Sequence, residues 1–273
     1  MFAQEPTESE TDEIIDDLLG EDEIIDDLLE STTNFSMLYA SVNYNSDTYF
    51  SGRDIGTDQF NIIPQLTYMH SKGFFASISG LYYSEFTPKW DYTSLAVGYG
   101  KSFGKDKKFR WSASYTRYFY AAEVDNPFKN GLTALVAFNN KKRNFGTLLS
   151  TTYLFGDDNS YQLASTTYGA IQLFKNKEEE LKLRPQLSFL VGKQTIEQAR
   201  VVNIGSSQVT RYIQNNEFGL LNTQLNIPIQ YSVKSLDLEL GYTLNIPSKL
   251  PGENNLSING FFNFSMAYMF TFD

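Results

Sequence analysis

The sequence predicts an all-β protein: an antiparallel, up-and-down transmembrane β-barrel of about twelve strands, with a range of 10–14, behind an acidic N-terminal tail. Three observations predict it. Apolar and polar residues alternate with a period of two through most of the chain after residue 34, aromatic residues make up 15%, and the mean hydropathy is only −0.33. A barrel strand exposes only alternate residues to lipid, so the mean hydropathy of a barrel stays low. The runs of about 20 apolar residues that a membrane-spanning helix needs are absent from the sequence.

The period of two defines the strands in order along the chain. We predict them at 35–45, 59–70, 74–86, 92–103, 109–120, 131–139, 145–155, 161–174, 181–195, 209–233 in part, 236–246 and 256–272. In the stretch 236–246 every even residue is apolar, whereas the odd residues are Asp237, Glu239, Gly241, Thr243 and Asn245. Side chains alternate across a strand, so the even face meets lipid and the odd face lines the lumen.

The last strand carries aromatic residues almost to the end of the chain, at Tyr268, Phe270 and Phe272. This ending resembles the closing-strand signal of Gram-negative outer-membrane β-barrel proteins, without indicating a subfamily. The resemblance implies a multi-pass protein of the bacterial outer membrane that contacts outer-membrane lipid and is recognised by the barrel-assembly machinery. Residues 1–4 resemble the remnant of a signal-peptide cleavage site.

The connections between the predicted strands alternate in length. Those after the second, fourth, sixth, eighth and tenth strands are short, whereas 46–58, 121–130, 196–208 and 247–255 are longer, with 87–91 and 156–160 as short exceptions. Outer-membrane barrels have short periplasmic turns and longer external loops. We therefore expect both termini in the periplasm, as an even strand number requires.

Two segments do not fit this simple pattern. Pro64, Pro185 and Pro228 fall inside predicted strands, where each removes a ladder donor, so they predict bulges or strand ends. The stretch 196–203 is either a loop or an extension of the strand beyond the membrane.

We divide the chain into a tail, 1–33, and a barrel, 34–273. The motif Glu-Ile-Ile-Asp-Asp-Leu-Leu starts at Glu13 and again at Glu23. Each copy places its apolar residues on one side of a two-turn helix, which is marginal in water, so the tail is expected to be disordered or short-helical. It is a solvated linker, a tandem docking motif for a periplasmic partner, or a segment that folds back onto the basic periplasmic turns. The candidate docking residues are Ile14, Ile15, Leu18, Leu19, Ile24, Ile25, Leu28 and Leu29.

Charge and composition exclude several functions. Residues 1–30 hold 13 acids and no Lys or Arg, which leaves 19 acids against 22 bases in the rest of the chain. The strongly charged segment would be repelled by phosphate, so nucleic-acid binding is not expected. There is no cysteine, and His70 is the only histidine, so we predict no catalytic, cofactor or metal site and no enzymatic activity. Asp157 and Asp158 are interpreted as turn residues.

Charges on the predicted lumen face are the strongest functional candidates. They are Arg110, Lys182, Arg184, Asp237 and Glu239. In a barrel of intermediate width such charges form either a salt-bridged plug or the constriction of a small-solute pore. The leading hypothesis is a narrow, porin-like channel. The alternative is a structural or adaptor barrel that anchors a periplasmic partner through the repeated motif.

Overall fold

The computed structural model describes residues 36–272, apart from 105–106, 123, 125, 205–206, 252 and 254–255; between 194 and 216 it describes the backbone alone. The predicted tail, with its signal remnant and its docking residues, lies outside the described part. Within that part, no helix is long and apolar enough to cross a membrane.

Fifteen strand segments form one antiparallel sheet, and three pairs of them continue each other across short breaks, which gives twelve barrel strands. We number these strands in chain order. They are β1 Ser36–Asn45, β2 Asn61–His70, β3 Phe74–Tyr83, β4 Trp90–Phe103, β5 Phe109–Tyr120, β6 Phe128–Asn139, β7 Phe145–Gly156, β8 Asn159–Gly169 with Ile171–Lys175, β9 Glu179–Leu183 with Gln186–Ile204, β10 Ser207–Asn226 with Ile229–Val233, β11 Leu236–Pro247 and β12 Asn259–Phe272.

The sheet closes on itself between its first and last strands. β1 pairs with β12 from Ser36 opposite Phe272 to Asn45 opposite Asn263, and β12 pairs on its other side with β11. Closure leaves no strand edge exposed to lipid, where an unpaired backbone group costs several kcal/mol. The prediction of a closed antiparallel barrel of about twelve strands is confirmed.

Both ends of the described chain lie at one end of the barrel, because Ser36 is opposite Phe272. The turns at 71–73, 104–108, 140–144, 176–178 and 234–235 are at this end, which we call the turn end. The connections at 46–60, 84–89, 121–127 and 248–258 are at the opposite end, which we call the loop end, together with the tight turn at 157–158 and the paired residues Ile204 and Ser207. The predicted alternation of turns and loops is therefore present.

The prediction of a loop at 196–208 is wrong, and the alternative of an extended strand is correct. β9 and β10 stay paired to Ile204 opposite Ser207. The pairing of β9 with β8 stops at Gly192, and that of β10 with β11 stops at Asn222. Beyond these residues the two strands pair only with each other, as a ribbon that rises above the wall at the loop end.

The three prolines act as breaks or ladder gaps. Pro185 and Pro228 lie between the two segments of β9 and of β10, where the strands are interrupted. Pro64 lies within β2, opposite Val42 of β1, and the ladder between β2 and β3 skips Ile63 and Pro64 before it resumes at Gln65. A proline has no N–H to donate, so each ladder is locally incomplete at these points.

The outer face of the barrel is apolar and carries aromatic residues near both ends. Ring pairs near the turn end are Phe74–Tyr99, Phe103–Phe109, Phe109–Phe138 and Tyr268–Phe270, with centroids 4.9, 5.6, 5.3 and 4.7 Å apart. Pairs near the loop end are Tyr44–Phe60, Tyr153–Tyr161 and Tyr242–Phe262, at 5.6, 4.7 and 5.0 Å. Two such belts are typical of a barrel that crosses a bilayer.

Barrel closure predicts a specific disulfide between β1 and β12. Ser41 and Ala267 are register partners and both side chains are buried in the lumen. Opposite Cα atoms of an antiparallel pair are about 4.5–5.5 Å apart, which a disulfide can bridge. The double variant Ser41→Cys/Ala267→Cys should therefore oxidise in the folded barrel and run faster than its reduced form on a denaturing gel after boiling.

The matched control is Ser41→Cys/Ser265→Cys, in which the second cysteine is displaced by one step along the same face. Its Cα separation is about 7–8 Å, beyond ordinary disulfide geometry. The native chain has no cysteine, so no other intramolecular bond competes. Equal cross-linking in both variants, or none in the first, would contradict the register of closure.

Candidate functional site in the barrel lumen

One wall of the lumen is filled by apolar and aromatic side chains. The cluster lies at the loop end of β2–β7 and consists of Ile63, Leu81, Tyr83, Tyr92, Tyr118 and Leu154, together with Phe50 from the first loop. Tyr83 and Tyr118 are each 1% exposed. Much of the cross-section on this side is therefore occupied by side chains rather than by water.

The first loop, 46–60, contributes a small hairpin to the lumen. Tyr49–Phe50 pairs with Arg53–Asp54, and these residues with their turn form what we call the inner hairpin. Ser51 and Gly52 both have positive φ, 50° and 76°, which is the geometry of a tight type I′ turn. Glycine is required at position 52, since an added Cβ would lie 2.4 Å from Asn222 Oδ1.

Arg53 anchors the inner hairpin to the wall that contains β10–β12. Its guanidinium is 4% exposed and donates to Glu253 from Nε, at 2.6 Å, and from Nη2, at 2.9 Å. It also donates to the carbonyl oxygens of Ser51, Leu221 and Ser248. A buried charge with this many partners is satisfied, whereas the same charge without its carboxylate would be costly.

Phe50 anchors the same hairpin to the opposite wall. Its ring is 4% exposed and lies 6.4 Å from the ring of Tyr83 and 6.3 Å from that of Phe86, measured between centroids. On the other side, Asn259 Nδ2 donates to Gly52 O at 2.8 Å. The inner hairpin thus contacts both walls, and it narrows the lumen at the loop end.

A polar cavity of about 130 Å³ remains beneath the inner hairpin. Tyr49 lies on its hairpin side, and Glu239 on its side toward the turn end. Seven carboxamide side chains line it: Asn43, Asn45, Gln186, Gln224, Asn226, Asn245 and Asn263. The remaining polar side chains in the lining belong to Thr166, Ser188, Thr243 and Ser265. The lining includes no Lys or Arg.

Carboxamides at the loop side of the cavity hydrogen-bond to one another. Asn222 Nδ2 and Gln224 Nε2 donate to Asn245 Oδ1 at 2.9 and 3.0 Å, and Asn245 Nδ2 donates to Asn259 Oδ1 at 2.9 Å. On the adjoining strands Asn45 Nδ2 donates to Asn61 Oδ1 at 3.0 Å. These chains order the wall and keep its polar groups fixed.

All five predicted lumen charges face inward, but the structure brings only four of them together. Lys182 and Arg184 on β9 lie near Asp237 and Glu239 on β11, with β10 between them; we call these four residues the charged strip. Arg110 is also buried, but it lies on β5, four strands away from β9. The expectation that the charges lie near the turn end holds, since Asp237 is the second residue of β11.

Three members of the charged strip contact partners outside it. Lys182 Nζ lies 3.1 Å from Glu180 Oε2, and the guanidinium carbon of Arg184 lies 3.9 Å from the centroid of the Tyr168 ring. Gln230 Nε2 donates to Glu239 Oε2 at 2.7 Å, and Asn263 Nδ2 donates to Glu239 Oε1 at 3.4 Å. The structure therefore supports a compensated wall here, and the constriction role of these residues stays a prediction.

The other predicted residues lie outside the lumen site. Tyr268, Phe270 and Phe272 are exposed on the outer face near the turn end, where their role as an assembly signal stays a prediction. His70 accepts a hydrogen bond at Nδ1 from the backbone N–H of Lys72, within the turn after β2. Asp157 and Asp158 form ion pairs with Lys129 and Lys193 in the tight turn after β7.

Sequence reasoning missed the inner hairpin, Arg53, Glu253 and the carboxamide lining. A signal for the lining was present, because Asn43, Asn45, Asn245, Asn259 and Asn263 all fall at odd positions, the lumen phase of their strands. The Ser51-Gly52 pair was the corresponding local signal for a tight turn.

Comparisons with known proteins identify similar folds at very low sequence identity. No family model matches the chain, and no curated protein matches it. Among solved structures, the NanC porin is 10% identical, with a TM-score of 0.48 over 85% of this chain and 98% of that one. An outer membrane channel from Pseudomonas putida F1 is 11% identical, with a TM-score of 0.45 over 87% and 95%. LpxR from Salmonella typhimurium is 10% identical, with a TM-score of 0.43 over 85% and 99%. The structural neighbours are outer-membrane β-barrel proteins, and the fold assignment itself rests on the strand pairing of this chain.

The ion pair between Arg53 and Glu253 predicts a pH-dependent stability. Burial alone would raise the pKa of Glu253, but hydrogen bonds from Arg53 and from the Leu250 N–H outweigh it and lower the pKa. The carboxylate therefore stabilises the folded state at pH values above the ordinary pKa of a glutamate. This contribution is lost as the pH falls through the lowered pKa of the folded state. At pH 7, Glu253→Gln should reduce the free energy of unfolding by about 1–3 kcal/mol. Thermal unfolding in detergent should show this difference shrinking in acid.

Asp157→Asn is the matched control, because it neutralises an exposed ion pair with Lys129 at the same end of the barrel. Exposed pairs contribute about 0–1 kcal/mol. An effect of Glu253→Gln no larger than that of Asp157→Asn at pH 7 would show that the Arg53 contact does not hold the loop.

Proposed function

We propose that the protein is a narrow outer-membrane channel for small polar solutes, and not an enzyme. The observation that carries this proposal is the polar cavity beneath the inner hairpin, most of whose lining residues carry carboxamides or hydroxyls. A barrel with a purely structural role has no need of such a lining, since side-chain packing alone can fill a small barrel.

The inner hairpin sets the width of this channel. It crosses the lumen between the apolar cluster at Phe50 and the anchor at Arg53, so solute passes along the wall of β8–β12 rather than through the centre. Selectivity by a fixed, narrow and polar passage is a general property of channels. The charged strip then lines the passage toward the turn end.

The proposed setting is the bacterial outer membrane, with the turn end in the periplasm. The two aromatic belts, the short turns and the longer loops support this orientation. Tyr268, Phe270 and Phe272 would form the address read by the barrel-assembly machinery, and lipid would cover the apolar outer face.

Planar bilayers test the channel directly. The purified protein should give small, discrete conductance steps, because the inner hairpin restricts the lumen. The double variant Arg53→Gln/Glu253→Gln removes the buried ion pair without leaving one charge alone, and it should release the hairpin and raise the single-channel conductance about threefold or more.

The control Lys129→Gln/Asp157→Asn neutralises an exposed pair at the loop end and should leave the conductance unchanged. A persistently silent wild-type protein would overturn the channel. An unchanged conductance in the Arg53→Gln/Glu253→Gln variant would show that the hairpin does not restrict the passage.

A second candidate function is favoured by the position of the chain's first described residue. Ser36 lies at the turn end, so the segment with the two Glu-Ile-Ile-Asp-Asp-Leu-Leu copies joins the barrel on the side that we propose faces the periplasm. In this alternative the barrel anchors a partner complex, and the two copies bind its grooves with avidity.

Capture experiments with the full chain in detergent test the adaptor hypothesis. Replacing the Ile and Leu residues of one copy by Ser should weaken retention of a periplasmic partner about tenfold or more, and replacing both sets should abolish it, because avidity multiplies two modest affinities. The single-copy variants with serines in 13–19 or in 23–29 serve as matched controls for each other. Retention of a partner that does not depend on these residues would contradict the adaptor hypothesis.

A further inference from the structure

Some polar side chains of the cavity remain available after the internal hydrogen bonds of the wall are counted. Within the described residues, the side chains of Asn43 and Asn226 make no hydrogen bond, and both line the cavity. Asn226 Oδ1 is buried against the wall, which leaves its Nδ2 as the group available to a solute. Fixed, unoccupied donors and acceptors in a confined space are the elements of a binding site.

These available groups lie at successive levels of one wall. Asn43 of β1 is opposite Ser265 of β12, and Ser265 is opposite Glu239 of β11. Asn226 is opposite Thr243 in the neighbouring strand pair. Gly241 makes room for the wall amides, because a Cβ there would lie 2.8 Å from both Asn226 Oδ1 and Asn263 Oδ1. The polar groups therefore surround one space rather than lying scattered along the lumen.

The charge of the lining favours an uncharged solute. Lys and Arg are absent from the lining, so an anion finds no counter-charge there. Glu239 is the one carboxylate, and its oxygens accept from Gln230 Nε2 and Asn263 Nδ2. The bases Lys182 and Arg184 of the charged strip balance its charge and that of Asp237. Carboxamides both donate and accept, which matches the hydroxyl group, itself both donor and acceptor.

An aromatic pair provides an apolar contact on the hairpin side. The rings of Tyr49 and Phe261 are stacked with centroids 6.1 Å apart, and both residues line the cavity. The cavity volume of about 130 Å³ is close to the roughly 150 Å³ that accommodates a benzene-sized molecule. The space therefore suits a short carbon chain with hydroxyl groups on one side.

We infer that this cavity is a binding site for short-chain, uncharged polyols, formed by the available carboxamides of Asn43 and Asn226 and closed on one side by Tyr49 and Phe261. The inference rests on the proposed channel, and it names the class of solute that the channel selects. A site inside a channel has to bind weakly enough to release its solute, so millimolar affinity is expected.

The test measures the ion current of the full-length protein in planar bilayers with glycerol as the probe. Glycerol bound in the cavity obstructs the passage, so the current should fall saturably, by about twofold at high concentration. 1,2-Dimethoxyethane has the same number of non-hydrogen atoms and no hydroxyl group, and it should have little effect. Asn43→Leu and Asn226→Leu should each raise the half-blocking glycerol concentration about fivefold, the loss of one hydrogen bond.

Gln65→Leu is the matched control, because Gln65 is a lumen carboxamide on β2 that does not line the cavity. Asn43 and Asn226 lie on different strands, and a gel mobility that differs between the unboiled and the boiled protein shows that each variant is folded. A current that responds equally to the two solutes, or a glycerol block unchanged in both variants, would overturn the polyol site and leave the channel standing. A wild-type protein without current would overturn the channel itself.

Discussion

The requirement that every backbone N–H and C=O find a partner within the membrane governs this structure. Pairing β1 with β12 satisfies the last two strand edges, and with closure the side chains divide strictly between two environments. The outer face needs only to be apolar, which explains its variety of Leu, Val, Phe and Tyr. The inner face has to fill or line a space that the strand number fixes. Within the barrel, the specific chemistry is therefore expected on the inner residues and on the loops that enter the lumen.

The two walls of the lumen differ in the side chains that they carry. At the loop end, the wall of β2–β7 is filled by aromatic and aliphatic side chains, whereas the wall of β8–β12 is lined by carboxamides. The inner hairpin fits between them because its own residues have two characters: Phe50 packs on the first wall and Arg53 is bonded to the second. Arg53 and Glu253 are separated by 200 residues, and the strand pairing that closes the barrel brings them together. The hairpin thus depends on the fold, whereas the strand pairing that closes the barrel does not involve the hairpin.

The distance in sequence between contacting residues explains what the sequence could and could not predict. Lipid imposes a period of two on each strand separately, so the strands, the connections and the inward side of Arg110, Lys182, Arg184, Asp237 and Glu239 follow from local pattern. The path of the first loop depends on Glu253, Leu221 and Ser248, which are remote in sequence. The prediction of a loop at 196–208 was wrong for a related reason. Outside the membrane no lipid enforces alternation, so a paired ribbon and a loop have similar sequences.

For the proposed channel, the position of the lumen charges matters more than the net charge of the chain. The barrel part of the chain has a small excess of bases, but these are concentrated in the turns, as at 141–143 and 105–108. In the charged strip Lys182 pairs with Glu180, Arg184 lies on the Tyr168 ring, and Glu239 accepts two amide hydrogen bonds. The strip holds two acids and two bases on one wall, so their opposite fields largely cancel at a distance. The carboxamides of the cavity lining are neutral. In the proposed channel they discriminate through hydrogen bonds and size, and the selectivity should depend only weakly on salt, because screening acts on charge and not on hydrogen-bond geometry.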